Sequence, residues 1–127
     1  MLINDFYSVK EKHVIEKGFE VDIVLNSNHL IFACHFPNKK ITPGVCIIQI
    51  CKELLMDHLK LDLLFKYSKN IKFLNIIDPT IDNIVRFKFL FIDINEDNIK
   101  VEIIIQNNDI VFTKINSVYE IKWTLTS

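Results

Sequence analysis

The chain has 127 residues, half of them hydrophobic, which suits one domain spanning 1–127 with ample material for a core. Fifteen basic and sixteen acidic residues leave a formal charge of −1, and no basic stripe of the kind that nucleic-acid binding requires is present. No apolar run reaches the ~18 residues of a helical membrane span, and MLINDFYSVK carries charge too early for a signal peptide, so a cytoplasmic protein is expected.

In chain order, Lys10 to Leu25 predicts two strands joined near Gly18. Phe19, Val21, Ile23 and Leu25 alternate with mostly polar neighbours, the period of a half-buried strand. The turn-formers Asn26-Ser27-Asn28-His29 then lead to a short apolar segment, Leu30 to Cys34, which reads as extended. His35 to Pro43 holds two prolines and a polar centre and reads as a loop. A helix is predicted from about Gly44 to Leu61, with Thr42 as N-cap and Pro43 in the first helical position. Between Val45 and Cys51 only Gln49 is polar, so this half of the helix is expected to be enclosed on all sides. Polar Lys52, Glu53, Asp57 and Lys60 mark where it emerges.

Tyr67 to Asn70 reads as a linker. Strands are predicted at Ile71 to Ile77, Ile84 to Ile94, Ile99 to Gln106 and Ile110 to Trp123, with turns at residues 95–98 and 107–109. Strands, one long buried helix and then an antiparallel meander imply an α+β architecture, a curved antiparallel sheet wrapped around a central helix. Apolar edge strands of this kind invite pairing with a second copy.

Cys34, Cys46 and Cys51 are odd in number and lack CxxC spacing, so neither a zinc site nor a disulfide framework is expected. No HxxxH, HxH or carboxylate cluster points to a metal. His13, His29 and His58 lack partners at telling spacings.

Chemistry concentrates in HFPNKKITPGVCIIQ, residues 35–49. His35 is ionisable near neutral pH. A lone histidine is ordinarily structural, but its place before Phe36-Pro37 and nine residues ahead of Gly44 favours function. Gly44 opens the helix, where backbone N–H groups lack intrahelical partners and the dipole favours negative charge. Deprotonation beside a thioester carbonyl needs this pairing of a base with donors for the developing oxyanion. Cys34 adjoins His35, but neighbours on an extended segment face opposite ways, which argues against a nucleophilic pair.

This segment resembles the signature loop of the 3-hydroxyacyl-(acyl-carrier-protein) dehydratases, in which His-Phe-Pro leads through Pro-Gly-Val into the central helix. Ile71-Lys72-Phe73, followed by Pro79, and the order of the last strands resemble that family as well. The resemblance covers about residues 10 to 122. It implies a hot-dog fold, a homodimer or higher homo-oligomer with shared sites, and elimination of water from a 3-hydroxyacyl thioester in fatty-acid or related acyl-chain synthesis. It assigns removal of the α-proton to His35 and binding of the thioester oxygen to the Gly44 amide; Phe36, Pro43, Val45 and Glu53 are read as substrate-binding residues. No cofactor is implied beyond the phosphopantetheine arm of the acyl carrier protein partner, which Lys39 and Lys40 would attract if they are more than a solvated loop.

Two positions depart from the family pattern. Asn38 replaces the usual glycine after the proline. Gln49 stands where the family holds the acidic residue, supplied by the partner subunit, that protonates the departing hydroxyl. A carboxamide orients a hydroxyl or water but carries no carboxyl proton. Three routes stay open. Glu53, one turn later, substitutes for the acid; His35 works with a water held by Gln49; or the chain supports an active paralogue as one half of a heterodimer. A hot-dog acyl thioesterase and a non-catalytic acyl-binding subunit are the alternative functions.

Overall fold

Six strands form one antiparallel sheet in the computed structural model, which describes residues 1–35 and 39–123. The strands are β1 (Tyr7–Ile15), β2 (Gly18–Leu25), β3 (Leu63–Phe73), β4 (Ile84–Ile94), β5 (Asn98–Gln106) and β6 (Val111–Ile121). Their spatial order is β1-β2-β4-β5-β6-β3. Two helices precede β3: α1 (Leu30–His35) and α2 (Gly44–Leu59).

The alternation read along the chain becomes the inner face of the sheet. Phe19 pairs with Phe89 and Val21 with Phe87, and Phe89 and Phe87 pair in turn with Ile103 and Ile105. All six side chains are buried. Each contributes roughly 1.5–3 kcal/mol on leaving water. Against this face α2 lays Cys46, Ile47, Ile50, Cys51, Leu54 and Leu55, all buried, but the first half of α2 is not enclosed on all sides as its apolar run predicted: Val45 is exposed, Ile48 and Gln49 are half-buried, and burial continues through Glu53 to Leu55. One antiparallel sheet with one long helix packed on it is the hot-dog architecture that the resemblance implied.

Four local expectations are corrected. Leu30 to Cys34 is the body of helix α1, not an extended segment. The His29 ring starts it, Nδ1 accepting from the Ile31 amide at 3.0 Å in the manner of an N-cap. Residues 67–70 are not a linker but the middle of β3, which pairs with β6 through two bulges, at Phe65/Tyr67 and Ser68/Asn70. The bulges and the exposed edge accommodate a polar run that would be penalised in a central strand. Thr42 does not cap α2, because Pro43, at φ −64° and ψ 143°, is itself the N-cap and leaves Gly44 as the first helical residue. At the far end α2 stops at Leu59, where Lys60 turns left-handed at φ 56°.

Gly18 is needed for space rather than for its φ. Lys17 takes the left-handed turn position at φ 62°, while a methyl on Gly18 would lie 1.8 Å from the Phe89 carbonyl oxygen across the ladder.

Candidate active site

The head of α2 is built by its neighbours. The Thr42 amide donates to the Ile77 carbonyl at 2.9 Å, pinning the helix entry to the chain that follows β3. That chain is held in turn by β6: the Leu74 and Asn75 amides donate to the Phe112 carbonyl at 2.8 and 3.1 Å. Between these walls lies a cleft of about 300 Å³, lined by Ile41, Thr42, Gly44 and Ile47 on one side and residues 73–77 on the other.

Two amides open the helix without a backbone acceptor among the described residues, those of Gly44 and Val45, whereas Cys46 and Ile47 donate back to the Pro43 carbonyl at 3.0 and 3.2 Å. The Phe73 ring lies against the Cα of Gly44, and a Cβ there would meet Phe73 Cζ at 2.9 Å. The glycine therefore permits close approach to the backbone here, beside the apolar face of Phe73. The Thr42 hydroxyl is buried without a hydrogen-bond partner among the described residues. An apolar slot with unengaged donors at a helix start can hold an acyl chain and polarise a carbonyl oxygen.

Gln49 belongs to a second cluster, on another face of the helix. Five residues of α-helix turn it about 140° away from Gly44, and it does not line the cleft. The structure thus does not join Gly44 and Gln49 within one chain. Glu53 is buried, and its carboxylate accepts from the Leu2 amide (3.0 Å to Oε1, 2.8 Å to Oε2), the Ile3 amide (2.9 Å), the Tyr7 hydroxyl (3.2 Å) and Gln49 Nε2 (2.9 Å). Burial, and then the Glu53 carboxylate, push the Tyr7 phenol up, so Tyr7 stays a donor. Glu53, read from the sequence as a substrate-binding side chain, is here the anchor of the N-terminal segment.

Other predicted residues are placed as follows. His35 is the last residue of α1; its side chain and residues Phe36, Pro37 and Asn38 lie outside the described residues. Pro43 is half-buried beside the cleft, while Val45 is 74% exposed and does not line it. Lys40 Nζ is bound to the Ser27 carbonyl at 2.7 Å, and Lys39 is exposed. Cys34 is exposed on α1; burial pushes the thiols of Cys46 and Cys51 up, as suits inert core residues. Among the described residues no group of His, Cys, Asp or Glu is arranged to hold a metal, and no helix is long and apolar enough to cross a membrane. Sequence reasoning missed Phe73, Leu74 and Ile77 as cleft residues, since an apolar residue near a strand end carries no mark of what it faces.

Comparison with known proteins agrees with this architecture. The family model ApeI-like, described as ApeI dehydratase, matches residues 10–111. Among solved structures, the dehydratase heterocomplex ApeI:P from Xenorhabdus doucetiae is 16% identical, with a TM-score of 0.70 over 88% of this chain and 96% of that one. A hypothetical thioesterase protein from Streptococcus pneumoniae TIGR4, solved with coenzyme A, is 14% identical, with a TM-score of 0.65 over 91% of this chain and 85% of that one. A conserved protein, PA5202 from Pseudomonas aeruginosa, is 10% identical, with a TM-score of 0.63 over 91% and 88%. No curated protein matches.

Proposed function

Because the chain belongs to the ApeI-like dehydratase family, we propose that it eliminates water from 3-hydroxyacyl thioesters carried on an acyl carrier protein. The observation that carries this reading is the Gly44 amide at the head of α2, which has no backbone acceptor among the described residues and opens on an apolar cleft beside Phe73. The Gly44 N–H holds the thioester oxygen as it becomes enolate-like, an interaction worth about 3 kcal/mol in comparable sites. His35 removes the α-proton, which contributes a further ~10²- to 10⁴-fold. The double bond forms as the C–O bond at the 3-position breaks. The proton taken up by the imidazole returns to the departing hydroxyl through a water held by the Gln49 carboxamide, leaving the histidine as it began.

Of the three routes left open for the missing acid, this one fits the geometry best, because the Glu53 carboxylate already serves four donor groups. Gln49 faces away from Gly44 of its own chain, so the hydroxyl-handling group is supplied by a second polypeptide. That is another copy of this chain, or a paralogue; the solved ApeI:P dehydratase is a heterocomplex. Phe36, Pro43 and the cleft walls hold the acyl chain, and the reaction needs no metal.

Mass spectrometry of a 3-hydroxyacyl carrier protein incubated with this protein tests the proposal, with His35→Ala as control. Loss of one water, absent in the control, is expected. An intact substrate would overturn the dehydratase reading in favour of a supporting subunit. A freed carrier thiol would establish the thioesterase alternative, which the solved thioesterase neighbours keep in view.

A further inference from the structure

We propose that Glu53 is a positioning residue for this reaction: it fixes the Gln49 carboxamide so that the carbonyl oxygen, a hydrogen-bond acceptor, is the atom offered to a hydroxyl or water. The inference rests on the reading above, in which Gln49 handles the departing hydroxyl, and adds which end of the carboxamide does so and what decides it.

A free glutamine side chain presents either end of its carboxamide, because oxygen and NH2 exchange by a half-turn of the last torsion. Here the choice is made by chemistry. Glu53 is 3% exposed, and its carboxylate has only acceptors to offer. Oε1 accepts from the Leu2 and Ile3 amides and the Tyr7 hydroxyl, and Oε2 accepts from Leu2 and Gln49. Gln49, one helical turn before Glu53, meets this carboxylate at 2.9 Å and can do so only through its NH2. Its Oε1 accepts from none of the described residues and is not buried, so it remains open to a ligand. The backbone amides of residues 2 and 3 hold Glu53 still, and that rigidity passes to Gln49.

Replacement of Glu53 by Gln tests the orientation with little change of shape. The new carboxamide has a single acceptor oxygen, which the Leu2, Ile3 and Tyr7 donors claim, so its NH2 turns to Gln49. Gln49 must then flip and present NH2 outward. With a 3-hydroxyacyl carrier protein as substrate, E53Q is expected to lower kcat and kcat/KM together by about 10²-fold with KM unchanged. In the same background Gln49→Glu is expected to restore much of the rate, since a carboxylate at position 49 accepts from the carboxamide at position 53 and again offers an oxygen outward. Tyr7→Phe, which removes an anchor but not the 49–53 contact, is expected to lower thermal stability while kcat stays at the wild-type value.

Amide NMR supplies a readout that does not depend on turnover. The Gln49 side-chain NH2 should be protected from exchange in the wild type and in Tyr7→Phe, and lose that protection in E53Q. Free exchange in the wild type would overturn the inference even if E53Q does not fold. So would a folded E53Q with wild-type kcat, or a Tyr7→Phe variant as slow as E53Q, which would make anchoring the whole role. Wild-type protein that releases no water would instead overturn the dehydratase reading and the catalytic part of this one, and the amide signal would still decide the orientation.

Discussion

Gly44 and His58 show how the surroundings of one side chain set what can be measured. A methyl at position 44 would press on the Phe73 ring at 2.9 Å, but that ring is 56% exposed and can swing aside. Gly44→Ala should therefore cost about 1 kcal/mol or less in stability. Water elimination should nonetheless fall by about 10²- to 10³-fold, because the approach to the amide is blocked; chemical denaturation and single-turnover assays separate the two effects. The His58 ring stacks on Phe19 with centroids 3.7 Å apart, and its Nδ1 is buried without a partner among the described residues. Burial, followed by the Lys12 charge, lowers its pKa below the ordinary 6.5. The unfolded chain thus binds this proton more readily than the folded one, so the full stability is present above pH 6.5 and declines as pH falls toward the folded value. His58→Phe keeps the stack and should flatten that decline in urea titrations compared at about pH 7.5 and 5. Some of the candidate site was legible at this scale. The spacing from His35 to Gly44 and the isolation of Gln49 within an apolar run were visible in the chain. The three N-terminal donors to Glu53 were not, because they lie 46 to 51 residues away in sequence and two of them are backbone amides.

Elements were readable where periodicity had room to repeat. β4, β5 and β6 each carry three or more buried residues at alternate positions, and their bounds were found to within one or two residues. Helix α1 has six residues, too few for a helical period to show, and its start depends on a histidine ring rather than a usual capping residue. β3 hid its middle because two bulges reset the alternation and its outer side faces solvent. The β1–β2 hairpin gives a test of packing at this scale. Gly18→Ala would place a methyl 1.8 Å from the Phe89 carbonyl oxygen, backbone that cannot yield without disturbing the β2–β4 ladder. A loss of about 3 kcal/mol is expected from equilibrium unfolding, at the upper end for overpacking.

At the scale of the whole molecule, the sheet ends in two edges, β1 and β3. Beside β3 and the head of α2, the apolar side chains Val45, Phe65, Phe73, Leu74 and Ile76 are all exposed in the single chain. That surface suits cover by a second polypeptide. The angular offset between Gly44 and Gln49 then has a genetic consequence. If every α2 lends its head to one reaction centre and its Gln49 face to another, two differently broken copies can repair each other. His35→Ala and Gln49→Ala proteins, each inactive alone, would form mixed dimers with one centre that has lost both groups and one that keeps both. Refolded together in equal amounts, about half of the dimers are mixed and each has one working centre of two, so about a quarter of the wild-type rate should return. Recovery of that size would identify the protein as a self-sufficient homodimer. No recovery would mean that the complementary half is made by a different chain.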